Sequence, residues 1–149
     1  MKNLIMAFLL LTPILTNAQD MDFKKLKLVL AKEAVIVQEA GNAVEYELNG
    51  LKIYLITDET ANRMRLMAGI DEAAKLTRED LDILMEANYD RALDAKYAIS
   101  DKILWAVYVH PLRELHEKQI VDALYQVFAL VKNYGTTYTS TDMIFGGGN

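Results

Sequence analysis

Val44-Glu45-Tyr46-Glu47-Leu48-Asn49-Gly50-Leu51-Lys52-Ile53-Tyr54-Leu55 is the stretch that decides how this chain folds. Val44, Tyr46 and Leu48 alternate with two glutamates, and Leu51, Ile53 and Leu55 alternate again after Asn49-Gly50. A period of two belongs to a strand with one buried side. Asn-Gly between two such runs marks a tight hairpin, because both central residues must accept positive φ. An antiparallel sheet is therefore the centre of the molecule.

The flanks extend it. Val35-Ile36-Val37 is β-branched and Met64, Leu66 and Ala68 alternate, giving two or three strands in this half. Tyr97-Ala98-Ile99 and Ile103 to Val109 read as a second hairpin around Ser100-Asp101. The run ILWAVYV is apolar at every position, as in a strand covered on both faces.

Helices bracket these strands. Phe23, Leu26 and Leu30 share one helical side, with Asp20 or Asp22 as cap. Thr77 with Asp80 three residues on forms an acidic capping box, and Leu81, Leu84, Met85 and Asn88 line one face of the helix that follows. That helix should end between Asn88 and Ala92, with Asn88 bonding the loop at its end. Pro111 ends a strand and suits a helix start, so a long last helix is expected from Leu112 to Asn133-Tyr134-Gly135. The expected order is α-β-β-β-α-β-β-α: an α+β fold, an antiparallel sheet with helices on one face.

The ends read differently. Met1-Lys2-Asn3, an apolar run from Leu4 to Ile14 and Leu15-Thr16-Asn17-Ala18 follow the order of a secretory signal peptide. The run is short for a bilayer span and contains Pro13. We expect residues 1–18 to be removed, leaving no stable membrane anchor, and the mature protein to be periplasmic or secreted. Residues 19–134 form the domain, and residues 135–149 a flexible C-terminal tail with Met143-Ile144-Phe145 as an apolar bead.

Composition narrows function. The chain has 149 residues, 16 basic and 21 acidic, for a net charge of -5. An acidic domain has no general attraction for phosphate backbones, so no nucleic-acid partner is expected. There is no cysteine, hence no disulfide and no thiolate metal site. The two serines beyond the leader, Ser100 and Ser140, lie outside any nucleophile elbow. Tyr108-Val109-His110-Pro111-Leu112-Arg113-Glu114-Leu115-His116-Glu117-Lys118-Gln119 holds both histidines. Their spacing of six is not the i,i+4 of a helical metal pair. Glu114 with Lys118 and Arg113 with Glu117 read as ordinary helix pairs. No metal, cofactor or catalytic residue is assigned, although a metal-dependent hydrolase around His110, His116 and Glu114 is one alternative. A small-molecule carrier with a pocket between sheet and helices is another.

With helices on one side, the other side of the sheet lies open. Leu51, Ile53, Leu55, Met64, Leu66, Trp105, Val107 and Val109 make the better apolar set for the core. Lys52, Tyr54, Arg65, Met67, Leu104 and Tyr108 are then left for the open side. Exposed aromatic and apolar groups of this kind mark contacts with another chain. Tyr54, Arg65, Met67, Leu104 and Tyr108 are the expected partner-binding residues.

The stretches ELNGLKIYLITDETANRMRLMAGI, LTREDLDILMEANYDRALDAKYAI and DKILWAVYVHPLRELHEKQIVDALYQVF resemble the YbjN-type domain and its relatives, the class I type III secretion chaperones. The resemblance covers about Asp20 to Asn133. It rests on Asn62 before a strand, Asn88 near a helix end, and the apolar-Pro-Leu corner from Val109 to Leu115. His110 stands where the pattern has an apolar residue. The resemblance implies an α+β domain, often a homodimer, that binds another polypeptide through strand and sheet surfaces without catalysis. Those chaperones act in the cytoplasm, whereas this chain carries an export signal. The reading is an exported, non-enzymatic, chaperone-like protein-binding module.

Overall fold

The structure, a computed structural model, describes residues 20–141. The leader and Met143-Ile144-Phe145 lie outside the described residues. The elements run α1 (Phe23–Leu30), β1 (Val35–Ala40), β2 (Ala43–Leu48), β3 (Leu51–Asp58), β4 (Arg63–Glu72), α2 (Arg78–Asp90), β5 (Lys96–Ser100), β6 (Ile103–His110) and α3 (Glu117–Asn133). All strand pairs are antiparallel, in the order β1-β2-β3-β4-β6-β5. The fold is α+β with an open sheet, as the sequence suggests, and has one strand more than expected. That strand is β1, set off from β2 by a turn at Gly41, whose φ is +60°.

The Asn49-Gly50 turn forms as read, with φ of 50° and 79°, and pairs Leu48 with Leu51. Asp101 and Lys102 make the second hairpin turn, also at positive φ. Thr77 and Asp80 close the capping box of α2, and Asp22 caps α1. α3 rests on β4, β5 and β6, α1 packs on α3, and α2 packs against β5. Ile53, Leu55, Leu66, Leu104, Leu124 and Leu130 are among the buried side chains between sheet and helices. Ala68, Ala106 and Ala123 are fully buried on β4, β6 and α3, and small residues there let helix and sheet come close.

Two expectations are corrected. The last helix begins at Glu117, not Leu112. The chain from Pro111 to His116 is a corner tied to Asn62 in the β3–β4 turn: Asn62 Oδ1 accepts from Arg113 N at 2.9 Å, and its C=O accepts from Leu112 N at 3.3 Å. Arg113 and Glu114 therefore face that turn instead of pairing along a helix. Second, the first residues after Gly135 do not hang free. The Ser140 hydroxyl accepts from Leu93 N at 2.7 Å and Ser140 N donates to the Arg91 carbonyl at 3.2 Å. Tyr138 packs edge-on to Tyr97 and Tyr134.

Asn88 reaches past the loop at its helix end and bonds strand β5. Its amide nitrogen donates to the Tyr97 carbonyl at 3.0 Å and its oxygen accepts from Tyr97 N at 2.7 Å. The side chain thus stands in for a neighbouring strand along the outer edge of β5. Inside that edge, the Tyr97 hydroxyl donates to the Leu130 carbonyl, and burial pushes its pKa up. Replacing Asn88 by alanine leaves two backbone groups without partners, a loss of about 1–3 kcal/mol. Met85→Ala, at an exposed site on the same helix, should stay within about 0.5 kcal/mol. Urea unfolding of the two variants measures the contrast.

Candidate functional site

The open side of the sheet is built from alternate residues of all six strands. One row across it reads Gln38, Glu45, Tyr54, Met67, Val107 and Lys96. The next reads Ala40, Ala43, Ile56, Arg65 and Val109. On the other side of the first, Gly69 faces Trp105, which faces Ala98. A groove of about 340 Å³ runs over this surface, lined by Gln38, Ala40, Tyr54, Ile56, Met67 and Trp105 among others.

Trp105 gives the groove its shape. Its indole nitrogen donates to the Ser100 carbonyl at 3.1 Å. The six-membered ring lies over Gly69, where an added Cβ would stand 3.6 Å from Cζ3. From there it meets Tyr54 edge to face, with centroids 6.3 Å apart and planes at 78°. A methyl group at position 69 would meet the ring at ordinary van der Waals distance, whereas a longer side chain would stand in the path by which this aromatic from β6 crosses β4 and reaches β3. Such edge-to-face pairs add about 0.5–1.5 kcal/mol beyond the area they bury.

The groove also holds charge. Glu45 Oε1 is shut off from solvent without a well-aligned hydrogen bond, and the Lys52 ammonium stands 2.7 Å away. The Glu45 carboxylate in turn holds Lys52 above its ordinary pKa. Arg65, exposed on β4, lies opposite Ile56 and Val109 in the neighbouring row.

Tyr54, Arg65 and Met67 lie on this open face, where the sequence placed them. Leu104 and Tyr108 do not: they are 1% and 5% exposed and face the helices with Ala106. Trp105, Val107 and Val109 take the open side instead. β6 is apolar at both parities, so hydrophobicity cannot choose its register. Size chooses it: Ala106 lies opposite Ala68 and Tyr97, in the layer that α3 covers, and the bulky indole is left for the uncovered side. The signal available in the sequence was Gly69, a lone glycine inside a strand, which lies opposite Trp105.

The two histidines belong to the corner. His110 stacks on Tyr108 at 6.0 Å, with its Nδ1 2.8 Å from the Pro111 carbonyl. His116 N donates to Gln119 Oε1 at the start of α3. Asn62 Nδ2 donates to both oxygens of Glu114 and holds its pKa below the usual carboxylate range. Among the described residues no group of three or more metal-ligating side chains converges. The carrier alternative expected a cavity between sheet and helices, whereas the apolar groove lies on the opposite face.

This geometry has known counterparts. The chain aligns with a chain of the HopA1–SchA chaperone–effector complex at TM-score 0.54 and 9% identity, over 66% of this chain and 79% of that one. It aligns with a chain of the ExsC–ExsE complex at TM-score 0.56 and 9% identity, over 73% and 86%. The likeness is one of fold, and it is consistent with the type III secretion chaperone-like fold that the sequence resemblance implies. No protein-family model and no curated protein matches the sequence.

Two outcomes are expected. Trp105 is the chain's one tryptophan, so its fluorescence reports the groove. Gly69→Val should displace the ring, red-shift its emission and leave the far-ultraviolet circular dichroism unchanged. Glu114's lowered pKa means its contribution to stability is present above its unfolded value, about 4.3, and is lost as pH falls through the folded value. Asn62→Ala should flatten that acid-side dependence in unfolding curves measured between about pH 3 and 6.

Proposed function

We propose that this protein is an exported, non-enzymatic, chaperone-like module that binds another polypeptide on its open sheet face. The observation that carries the reading is the groove of Tyr54, Ile56, Met67 and Trp105, an organised aromatic and apolar surface that no described element covers. Sites dominated by aromatic anchors with polar flanks are characteristic of protein interfaces. The likeness to chains found in a chaperone–effector complex supports a polypeptide as the ligand. Export rests on the order of basic start, apolar run and small-residue end in residues 1–18. Removal of that leader would leave a periplasmic or secreted protein with net charge -6.

The groove volume also falls at the low end of the range for small-molecule sites, roughly 300–1,000 Å³. That keeps a small apolar ligand as the second reading.

Capture from an envelope extract by tagged protein comprising residues 19–149 should retain a polypeptide, identified by mass spectrometry. Trp105→Ala with Tyr54→Glu should reduce retention by at least tenfold with an unchanged circular dichroism spectrum. Retention unaffected by the double substitution would refute the open-face site. N-terminal sequencing of the envelope protein should begin at Gln19, and a retained Met1 would refute export by cleavage.

A further inference from the structure

We propose that Asp142-Met143-Ile144-Phe145 folds back over the open face of its own sheet and fills the groove, so that a partner must displace it. The displacement rests on the reading of the groove as the partner site, whereas the docking does not.

The described end of the chain brings this segment to the sheet. α3 stops at Asn133, yet the residues that follow are held against the domain. The Asn133 amide nitrogen donates to the Thr139 carbonyl at 2.8 Å, and Tyr138 N donates to the Asn133 carbonyl at 3.0 Å. Tyr138 packs on Tyr97 and Tyr134, with the Arg91 guanidinium 5.9 Å from its ring centroid. Ser140 is 3% exposed and bonds Leu93 and Arg91 through its hydroxyl and its N–H. Ordering a backbone in this way costs about 1–2 kcal/mol per residue. Leu93 leads into β5, so these contacts carry the chain from α3 to the rim of the sheet. β5 begins at Lys96, opposite Val107, and Val107 shares the groove's row with Met67 and Tyr54. Val109, two residues on, has no β5 residue opposite it, so a chain can turn onto the open face past the end of β5.

Length and chemistry then fit the occupant to the groove. From Ser140 to Phe145 the chain spans up to about 17 Å. Met67 on β4 is two strand spacings from β5, about 10 Å, and Tyr54 on β3 is one spacing further. The row nearest the entry holds Val109, Arg65 and Ile56, with Val109 and Ile56 52% and 41% exposed. Among the described residues no acid pairs with Arg65. Asp142 supplies that acid, and Met143, Ile144 and Phe145 supply apolar surface to Ile56, Met67 and Trp105. A short tether also raises the local concentration of the segment to about the millimolar range, which favours it over a free peptide of the same composition. A tail that holds the groove about nine-tenths of the time weakens a partner's apparent affinity about tenfold, because only the uncovered fraction can bind.

Trp105 reads the docking without any partner. In the chain comprising residues 19–149, Phe145→Asp should red-shift the Trp105 emission and increase its quenching by acrylamide, with an unchanged circular dichroism spectrum. Arg65→Glu should do the same, and Arg65→Glu combined with Asp142→Lys should restore the parent emission. Because the chain has no cysteine, a nitroxide on Gly147→Cys reports the place. It should broaden the amide signals of Tyr54, Met67 and Val107 more strongly than those of α1 and α3. Isotope-labelled copies without nitroxide, mixed with nitroxide-bearing ones, should stay sharp. Emission indifferent to Phe145→Asp, a charge exchange that restores nothing, strongest broadening on the helix side, or broadening carried between copies would each overturn the proposal. Capture of a polypeptide that resists Trp105→Ala with Tyr54→Glu would remove the open-face function and leave the docked tail standing. Capture lost in that double substitution, with Trp105 emission indifferent to Phe145→Asp, would do the reverse.

Discussion

One layer of helices serves a six-stranded sheet, and the rest of the molecule depends on that economy. α3 rests on β4, β5 and β6, with fully buried alanines on α3, β4 and β6. The sheet buries one face beneath it and beneath α1. No element among the described residues covers the other face, which is shielded by its own side chains. It must remain acceptable to water, so charges lie among its apolar groups: Glu45 with Lys52 toward β2, and Arg65 toward the opposite row. A large indole has no room where Ala68 and Ala106 admit the helix. It is placed outside, and Gly69 gives it a bed.

The ends of the sheet pose a separate physical problem, because an unpaired strand edge exposes backbone donors and acceptors. Asn88 solves it at β5 with one side chain that presents the donor and acceptor of a peptide unit. Lys96 adds bonds from its ammonium to the carbonyls of Asn88 and Ala92 at the end of α2, so helix end and strand edge satisfy each other. Asn62 works by the same chemistry at the corner. At a φ of 52° it turns the chain between β3 and β4, and its amide ties that turn to Arg113 and Glu114. Two asparagines thus tie the sheet to chain outside it, Asn88 the edge of β5 to α2 and Asn62 the β3–β4 turn to the corner before α3.

Much of this was legible wherever a local pattern has a local cause. Asn49-Gly50 specifies its turn through φ, and Thr77 with Asp80 specifies a helix start through bonds three residues apart. What escaped has distant causes. The corner from Pro111 to His116 looks like a helix start, yet its conformation is set by Asn62, 51 residues before Arg113. The inward parity of β6 is set by Ala68 and by the helix that covers it, while the run ILWAVYV reads as apolar on either side. β1 escaped as a separate strand because all its residues are exposed, so it lacks the alternation by which a half-buried strand is known. Of the five expected binding residues, the three on β3 and β4 were placed correctly by alternation, and the two on β6 failed for want of it.

A 9% identical chain can share this fold while sharing almost no surface, so function has to be argued from side chains. A flexible aromatic on an open sheet would lose rotamer freedom when a partner covers it, and that loss opposes binding. Trp105 has already given up that freedom in the free protein, held at one edge by the Ser100 carbonyl and over its face by contact with Gly69 and Tyr54. The folded chain has borne that cost without burying the ring in its core. A half-buried, hydrogen-bonded tryptophan over a glycine contributes less to stability than the same ring would in the interior. Under the function proposed above, a ring held in this way is a preorganised anchor for a second polypeptide.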